Sequence, residues 1–244
     1  MRILITGSEG TVGKILLSDL KLAKYQVTTI DQEPSERKNH FQADISDLDS
    51  MLSHFKDIDA VFHLAADVRN YINWHSLIVP NLTGTRNVYE AAARNGVKKI
   101  IYASSLNVYP WQEMFDRGEQ INEDTQVKSS NDYGLLKILS EEIGRDYSKK
   151  HGISVVNLRL GSVSKDNRPC GYSEGKCKDI DYSHWLSHAD TKRIFRGALE
   201  YTRDYICVPV CSANKPSLVD MDTIEKVLGV RPRSSSDEFK KCKK

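Results

Sequence analysis

The chain opens with a β-branched run, Arg2–Thr6, that passes directly into Gly7-Ser8-Glu9-Gly10-Thr11-Val12-Gly13 and then into a stretch with Val12 and Leu16 at helical spacing. A strand, a glycine-rich turn and a helix in that order constrain the fold severely. The turn has to bend tightly, and backbone has to approach backbone within it. The unpaired N–H groups at the start of the helix then form a natural seat for a diphosphate. The candidate cradle is the backbone of Gly7, Ser8, Gly10, Thr11, Val12 and Gly13. Gly7 is assigned to the tight turn, Gly10 to close approach of the pyrophosphate, and Gly13 to packing of helix on sheet.

The alternation continues along the chain. Further strands are expected at residues 26–30, 41–44, 60–65, 99–104 and 154–160, and helices at 11–25, 48–55, 81–95 and 132–151. The near-continuous apolar run at 60–65 suits a strand covered on both faces. This βαβα order predicts an α/β fold, a Rossmann-type doubly wound parallel sheet with ligands beyond the carboxyl ends of its strands. After Gly161 the character changes. Residues 162–181 read as an excursion, and 188–201 as a helix capped by Ser187 with Asp190 in capping-box position. Residues 205–210 read as a strand, and 220–228 as a last short helix before a polar tail. The expected organisation is a nucleotide-binding domain over 1–161 and a small substrate-binding lobe with its tail over 162–244.

Composition narrows the class. Of the 244 residues 39% are hydrophobic and 28% charged, with a net charge of +2. So small a charge gives no electrostatic footprint for nucleic acid, and the basic tail of Lys240, Lys241, Lys243 and Lys244 reads as a solvated end. No apolar run is long enough for a membrane span, and Met1–Thr6 leaves no room for a signal peptide before the first strand. Cys242 does not sit in a CaaX box. Five cysteines, an odd count, argue against a disulfide framework and for a reducing cytoplasm. The Cys170/Cys177 and Cys207/Cys211 spacings are not those of a zinc site, so no metal is expected.

Asp31 ends the second strand, where a carboxylate accepts hydrogen bonds from adenosine ribose hydroxyls and repels a 2′-phosphate. Gln32 and Glu33 add no cation beside it, although Arg37 and Lys38 follow in the loop. The cofactor read from this pattern is NAD. In the middle of the chain Tyr133 and Lys137 stand four apart, on one face of a helix. A free phenol titrates near 10, and a neighbouring ammonium favours its ionised form. Tyr133 is therefore the candidate base and Lys137 its tuning partner, also able to hydrogen-bond a ribose. Ser105, beyond the fifth strand, supplies a hydroxyl to polarise the substrate oxygen.

These elements, in order, are Thr6-Gly7 with Gly10 and Gly13, Asp44-Ile45, His63-Leu64-Ala65-Ala66, Asn81, Ser104-Ser105 and Tyr133-x-x-x-Lys137. The set resembles the extended short-chain dehydrogenase/reductases, the NAD-dependent epimerase/dehydratase family, over about residues 1–165. The resemblance implies that Asp44 and Ile45 hold the adenine and that Leu64, Ala65, Ala66, Asn81 and Ser104 belong to the cofactor site. His63 reads as packing. The family's dehydratases carry an Asp-Glu pair after the catalytic Ser/Thr. Here Leu106 and Asn107 stand there, which disfavours elimination. The short C-terminal lobe, Leu158-Arg159-Leu160-Gly161-Ser162 and Trp185-Leu186-Ser187 are most similar to the uronate dehydrogenase branch. Its members oxidise the anomeric hydroxyl of a hexuronic acid to a lactone, and a related archaeal branch does the same to glucose 6-phosphate.

The resemblance implies a sugar substrate, Ser162 as a substrate-binding serine, and a homodimer built on helices 81–95 and 132–151. The chain departs from that branch in three places. Its Asn-His after the catalytic serine is Leu106-Asn107, its serine after the HLxG motif is Val68, and its carboxylate-binding arginine has no counterpart before Trp185. Lys176 or Lys178 is the available substitute. Asn107 is a candidate for a sugar hydroxyl. Trp74, with Tyr71 and Asn73, either stacks on a sugar face or plugs the lobe interface. Two rivals to a sugar dehydrogenase remain, a sugar-nucleotide 4-epimerase using the same Tyr/Lys pair and a catalytically idle NAD-binding protein.

Overall fold

The computed structural model describes residues 1–22, 25–69 and 73–240. The expected end of the first helix at Tyr25 runs into residues outside that set, as do the expectations placed on Tyr71, Lys241, Cys242, Lys243 and Lys244. Seven strands form one parallel sheet: β1 (Arg2–Thr6), β2 (Gln26–Asp31), β3 (His40–Gln42), β4 (Ala60–His63), β5 (Lys99–Ser105), β6 (Ser154–Leu160) and β7 (Tyr205–Val210). Their order is β3-β2-β1-β4-β5-β6-β7. The chain runs outward to one edge from β1 and then returns to run outward to the other from β4. The carboxyl ends of β1 and β4 therefore flank the point where the winding reverses, and that is where a doubly wound sheet opens a crevice.

The helices are α1 (Thr11–Leu22), α2 (Leu48–Leu52), α3 (Trp74–Ile78), α4 (Gly84–Arg94), α5 (Trp111–Asp116), α6 (Asp132–His151), α7 (Asp179–Ser183), α8 (His188–Glu200), α9 (Met221–Leu228) and α10 (Asp237–Lys240). Alternate residues of each strand feed opposite faces. Ile3, Ile5, Phe62, Ile101 and Val156 meet Leu16 of α1, Phe195 of α8 and Ile224 of α9. Leu4, Val61, Ile100 and Val155 meet Met51 of α2, Val88 of α4 and Tyr147 of α6. Both faces are dry, which explains the continuous apolar reading of β4.

Several expectations are corrected. The boundary at residue 161 does not separate two cores, because β7, α8 and α9 lie beyond it and pack in the same cluster as β1 and β4. The third strand is His40–Gln42 and stops short of Asp44. The helix expected from Asn81 starts earlier, since α3 runs through a π-helical turn, Val79–Thr83, into α4. Pro80 has no N–H to continue an α ladder, and the wider turn accommodates that gap. Helices α5, α7 and α10 were not expected. The last of these orders part of the polar tail, with Lys240 Nζ donating to Lys215 O at 2.6 Å.

Ser187 caps α8 by accepting from Asp190 N at 3.0 Å, but Asp190 does not close a capping box. Its carboxylate is fully buried and accepts from Ser212 Oγ at 2.8 Å, Arg233 N at 2.9 Å and Ser234 N at 2.9 Å, besides pairing with Arg193. One side chain thus ties α8 to the segment after β7 and to the C-terminal run. Removing it leaves two backbone N–H groups and a guanidinium without their acceptor. Asp190→Ala is expected to lower unfolding free energy by about 3 kcal/mol or more, read as a shifted midpoint in urea denaturation.

Candidate functional site

The carboxyl ends of β1, β2 and β4 open onto a cleft of about 660 Å³ lined by Gly7, Gly10, Asp31, Asp44, Ile45, Leu64, Ala65 and Ala66, among others. Gly7 sits at φ +74°, and a Cβ there would lie 2.5 Å from Ala65 N. Its own N–H donates to Ile30 O at 2.9 Å. This one glycine makes the turn and admits the β4 backbone. A Cβ on Gly13 would meet Gly7 O at 2.5 Å and Ser8 Cα at 2.7 Å, so Gly13 packs on the turn itself, a correction to its expected contact with the sheet. The nearest atom to a Cβ on Gly10 is Gly7 O at 3.3 Å, and Gly10 lines the cleft. Ser8 Oγ is buried without a hydrogen-bond partner at the same turn. Thr11 and Val12 open α1. A bare turn, an orphaned hydroxyl and a helix start fit a dinucleotide diphosphate.

Asp31 is stapled to this turn, with Oδ2 accepting from Glu9 N at 2.7 Å and Oδ1 from Glu33 N at 3.0 Å. Arg37, the cation nearest in the following loop, pairs with Glu9, and Lys14 lies 3.6 Å from the same carboxylate. Asp44 Oδ1 accepts from Ser46 N at 2.8 Å. Burial works against its charge, but Ser46 and Gln32 outweigh it and hold the carboxyl below its usual range.

Tyr133, Lys137 and Ser105 come together where β5 meets the start of α6. Asn131 caps that helix, its Oδ1 accepting from Gly134 N at 2.8 Å. A Cβ on Gly134 would fall 2.1 Å from Asn107 O and 2.3 Å from Ser129 Oγ. The missing side chain is what lets the first turn of α6 rest on the loop after Ser105. Lys137 is buried, donates to Ala103 O at 2.8 Å, and lies 4.6 Å from the Tyr102 ring centroid and 5.4 Å from that of Tyr133.

The electrostatics correct the expected tuning. Burial, with the Asp67 carboxylate adding to it, raises Tyr133 well above its ordinary value. Burial also pushes Lys137 down to about 7, with Glu141 opposing. In the protein's own field, loss of solvent and the Asp67 carboxylate set the direction for the phenol.

Other expected residues sit as follows. Asn81 is buried, and its Nδ2 donates to Asp67 O and Leu77 O, both at 3.0 Å, which braces the loop after β4 and leaves its Oδ1 without a partner. Ser104 Oγ donates to Glu141 Oε1 at 2.6 Å within a buried pair completed by Arg159, so it faces the network behind the site. Asn107 is engaged on both ends of its amide, with one of its two N–H donors left over. Its Oδ1 accepts from Trp111 Nε1 and Asn131 Nδ2, both at 3.2 Å, and its Nδ2 donates to Ser105 Oγ at 3.1 Å. Ser162 lies past β6, its N–H donating to His184 O at 2.9 Å and its carbonyl accepting from Leu186 N at 2.9 Å. Trp74 opens α3 under an Asn73 cap, and Ser76, Val79 and Pro80 line the cleft from that segment. His63 braces the core, bonded to Thr6 Oγ1 at 2.8 Å and Thr85 Oγ1 at 3.0 Å. Burial, then Lys137, pushes it down to about 3.

Sequence reading passed over Asn131, Trp111, Ser129 and Asp67. Asn131 before a helical run is a cap signal, and Gly134 inside that run marks a close approach. Nothing local marks Trp111 or Asp67.

Comparison with known proteins accords with this geometry. The profile of the NAD dependent epimerase/dehydratase family matches residues 3–208. The chain is 31% identical to an NAD-dependent glucose-6-phosphate dehydrogenase of Haloferax volcanii, over 97% of this chain and 95% of that one. It is 29% identical to an L-arabinose 1-dehydrogenase (NAD(P)(+)) of the same organism, over 96% and 97%. A solved structure of a mutated uronate dehydrogenase superposes with a TM-score of 0.83 at 26% identity, covering 98% of this chain and 84% of that one.

Placing a methyl group on Gly134 forces α6 away from Asn107 O and Ser129. Gly134→Ala is expected to destabilise the fold by about 1–3 kcal/mol, despite alanine's better helix propensity, as measured by urea denaturation.

Proposed function

The chain belongs to the NAD dependent epimerase/dehydratase family, and from that premise we propose that it is an NAD-dependent sugar dehydrogenase. Its reaction is oxidation of an anomeric hydroxyl to a lactone. The observation that carries the reading is the meeting of Tyr133, Lys137 and Ser105 at the carboxyl end of β5, in the sheet whose reversal point opens the glycine-lined cleft. Full-length similarity to glucose-6-phosphate and arabinose dehydrogenases supports it.

The residues that would hold NAD are the Gly7–Gly13 turn for the diphosphate, Asp31 for the adenosine ribose, Asp44 and Ile45 for the adenine, and Leu64 to Ala66 along the inner wall. Bound there, NAD supplies the hydride acceptor. Tyr133 takes the proton from the substrate hydroxyl at its phenol oxygen. Ser105 steadies the charge that develops on the substrate oxygen, and Lys137, anchored on Ala103 O, stands near the phenol, where its protonated form favours the phenolate. Asp31 at the ribose position and the Glu9 partner of Arg37 favour NAD over NADP.

For the substrate, the full-length relatives that act on glucose 6-phosphate and L-arabinose favour an aldose, and Asp67, held by Arg69 in the cleft lining, offers lone pairs to its hydroxyls. Lys176, one candidate for a uronate carboxylate, is 77% exposed and paired with Glu174 at 3.0 Å. Leu135 and Leu139, one turn apart on α6, are 43% and 38% exposed and suit the dimer face that the fold commonly uses.

NADH absorbance with arabinose, glucose, glucose 6-phosphate, glucuronate, galacturonate and UDP-sugars tests the reading. Reduction of NAD is expected with a free or phosphorylated aldose, and Tyr133→Phe is expected to lower kcat by about 100-fold or more. Turnover of UDP-sugars without net NADH would replace it with an epimerase. A second test uses pH. The Asp67 carboxylate disfavours the phenolate, so activity rises with pH as Tyr133 ionises, and removing that charge makes ionisation easier. Asp67→Asn should therefore shift the rising limb of kcat/KM to lower pH.

A further inference from the structure

We infer that Asn107 is a positioning residue that makes the Ser105 hydroxyl a hydrogen-bond donor only, aimed at the substrate oxygen, and that Asn131 and Trp111 set its orientation. This rests on the reading of Ser105 as the group that steadies the substrate oxygen.

The chain of bonds has a fixed direction. Gly134 N–H can only donate, and it meets Asn131 Oδ1 at 2.8 Å. That settles the Asn131 amide, so its Nδ2 is the atom that faces Asn107 Oδ1 at 3.2 Å and donates to it. An indole N–H also can only donate. Trp111 Nε1 meets the same Asn107 Oδ1 at 3.2 Å. Two obligatory donors therefore hold the Asn107 oxygen, and its Nδ2 is turned to Ser105 Oγ at 3.1 Å. The Asn107 backbone N–H reaches the same Oγ, also at 3.1 Å.

A hydroxyl oxygen has two lone pairs and one hydrogen. Both lone pairs of Ser105 are taken by Asn107, so only the hydrogen remains. A turn at Ser105 alone would need the backbone bond and would leave one lone pair open. The side-chain amide closes it. A serine with an open lone pair can accept the proton of the substrate hydroxyl and so compete with Tyr133 for it. A serine limited to donating can only bind the substrate oxygen through that oxygen's lone pairs, and this bond strengthens as the proton leaves. The same device links the two halves of the site, because Asn131 both caps the helix carrying Tyr133 and holds Asn107.

The test compares variants by steady-state kinetics with the sugar that reduces NAD. Asn107→Asp keeps the shape but presents a carboxylate, to which Ser105 would donate its hydrogen. It is expected to lower kcat by about 30-fold or more while KM for the sugar changes by less than about threefold. NAD affinity, titrated by fluorescence quenching, is expected to stay within about twofold. Ser105→Ala is expected to lower kcat at least as far, and in that background Asn107→Asp should add less than about threefold, since both act through one hydroxyl. Trp111→Phe keeps the ring and loses the donor, and a kcat lowered by about threefold at unchanged KM is expected from it. Trp111→Phe thus supplies a readout if Asn107→Asp does not fold. If Ser105→Ala is crippled while Asn107→Asp, or Trp111→Phe where Asn107→Asp does not fold, keeps wild-type kcat, the inference about Asn107 is overturned and Ser105 keeps its role. Full additivity in the double variant overturns it equally. If Ser105→Ala itself turns over like wild type, the reading of the site on which the inference rests is the part that falls.

Discussion

The close approach of the first turn of α6 to the loop after β5 is the contact on which the site depends. A Cβ on Gly134 would lie 2.1 Å from Asn107 O, inside any possible packing distance. A bare backbone there brings Tyr133, one residue earlier, to the end of the strand that carries Ser105. The helix cap makes the approach directional. Asn131 accepts from Gly134 N and donates into Asn107, so helix start, loop and strand end share one set of hydrogen bonds. Ser129 closes it from the other side, its one hydroxyl hydrogen shared between Asn131 O at 2.8 Å and Asn107 O at 3.1 Å while its oxygen accepts from Asn131 N at 3.2 Å. Polar groups in such a network polarise one another and fix a single arrangement, provided each finds its partner.

Behind this layer lies a buried ion pair. Glu141 and Arg159 are joined at 3.0 and 2.7 Å, with side chains 3% and 8% exposed. Ser104 donates to the carboxylate, and Arg159 also bonds Tyr109 OH. Isolated charges this deep would be prohibitive, and a pair so buried adds little net stability. Its effect is on Lys137, one turn before Glu141 on α6. The carboxylate is the group that opposes the loss of charge which burial imposes on the ammonium. Lys137 is thus poised between two protonation states by its surroundings, with a carbonyl to hold it in place.

Legibility in the sequence followed how local each signal is. The glycine turn, the apolar strands and the helix Asp132–His151, ended by Gly152 at φ +66°, all carry their cause within a few residues, and they fall close to where pattern reading puts them. Asp31 was legible for the same reason, because it ends β2 and strand ends gather on one side of a parallel sheet, whereas Asp44, Leu64 and Ala65, which follow β3 and β4 and line the same cleft, were marked by the family resemblance. What pattern could not supply was direction. Asp190 has the spacing of a capping box, yet its carboxylate turns inward to groups far along the chain. Asn107 has the position of a substrate ligand, yet two donors from other segments claim its oxygen. Ser104 and Ser105 are neighbours on one strand, and the period-two alternation sends their hydroxyls to opposite tasks.

The distribution of charge bears on what the site can take. Arg159 is bound to Glu141, Arg193 to Asp190 and Arg37 to Glu9, so three guanidiniums near the ligand side of the sheet serve internal partners. A bidentate fork engaged in this way is a poor candidate for a substrate carboxylate, because the exchange would strand a buried anion. Meanwhile Asp67 adds negative charge at the phenol itself. That carboxylate carries its own counter-ion, since Arg69 Nε donates to Oδ1 at 2.9 Å and Nη2 to Oδ2 at 2.5 Å. Both residues line the cleft. The pair leaves little net charge there while its oxygens keep lone pairs for further donors, so this wall of the cleft suits the hydroxyls of a sugar better than direct pairing with a second carboxylate.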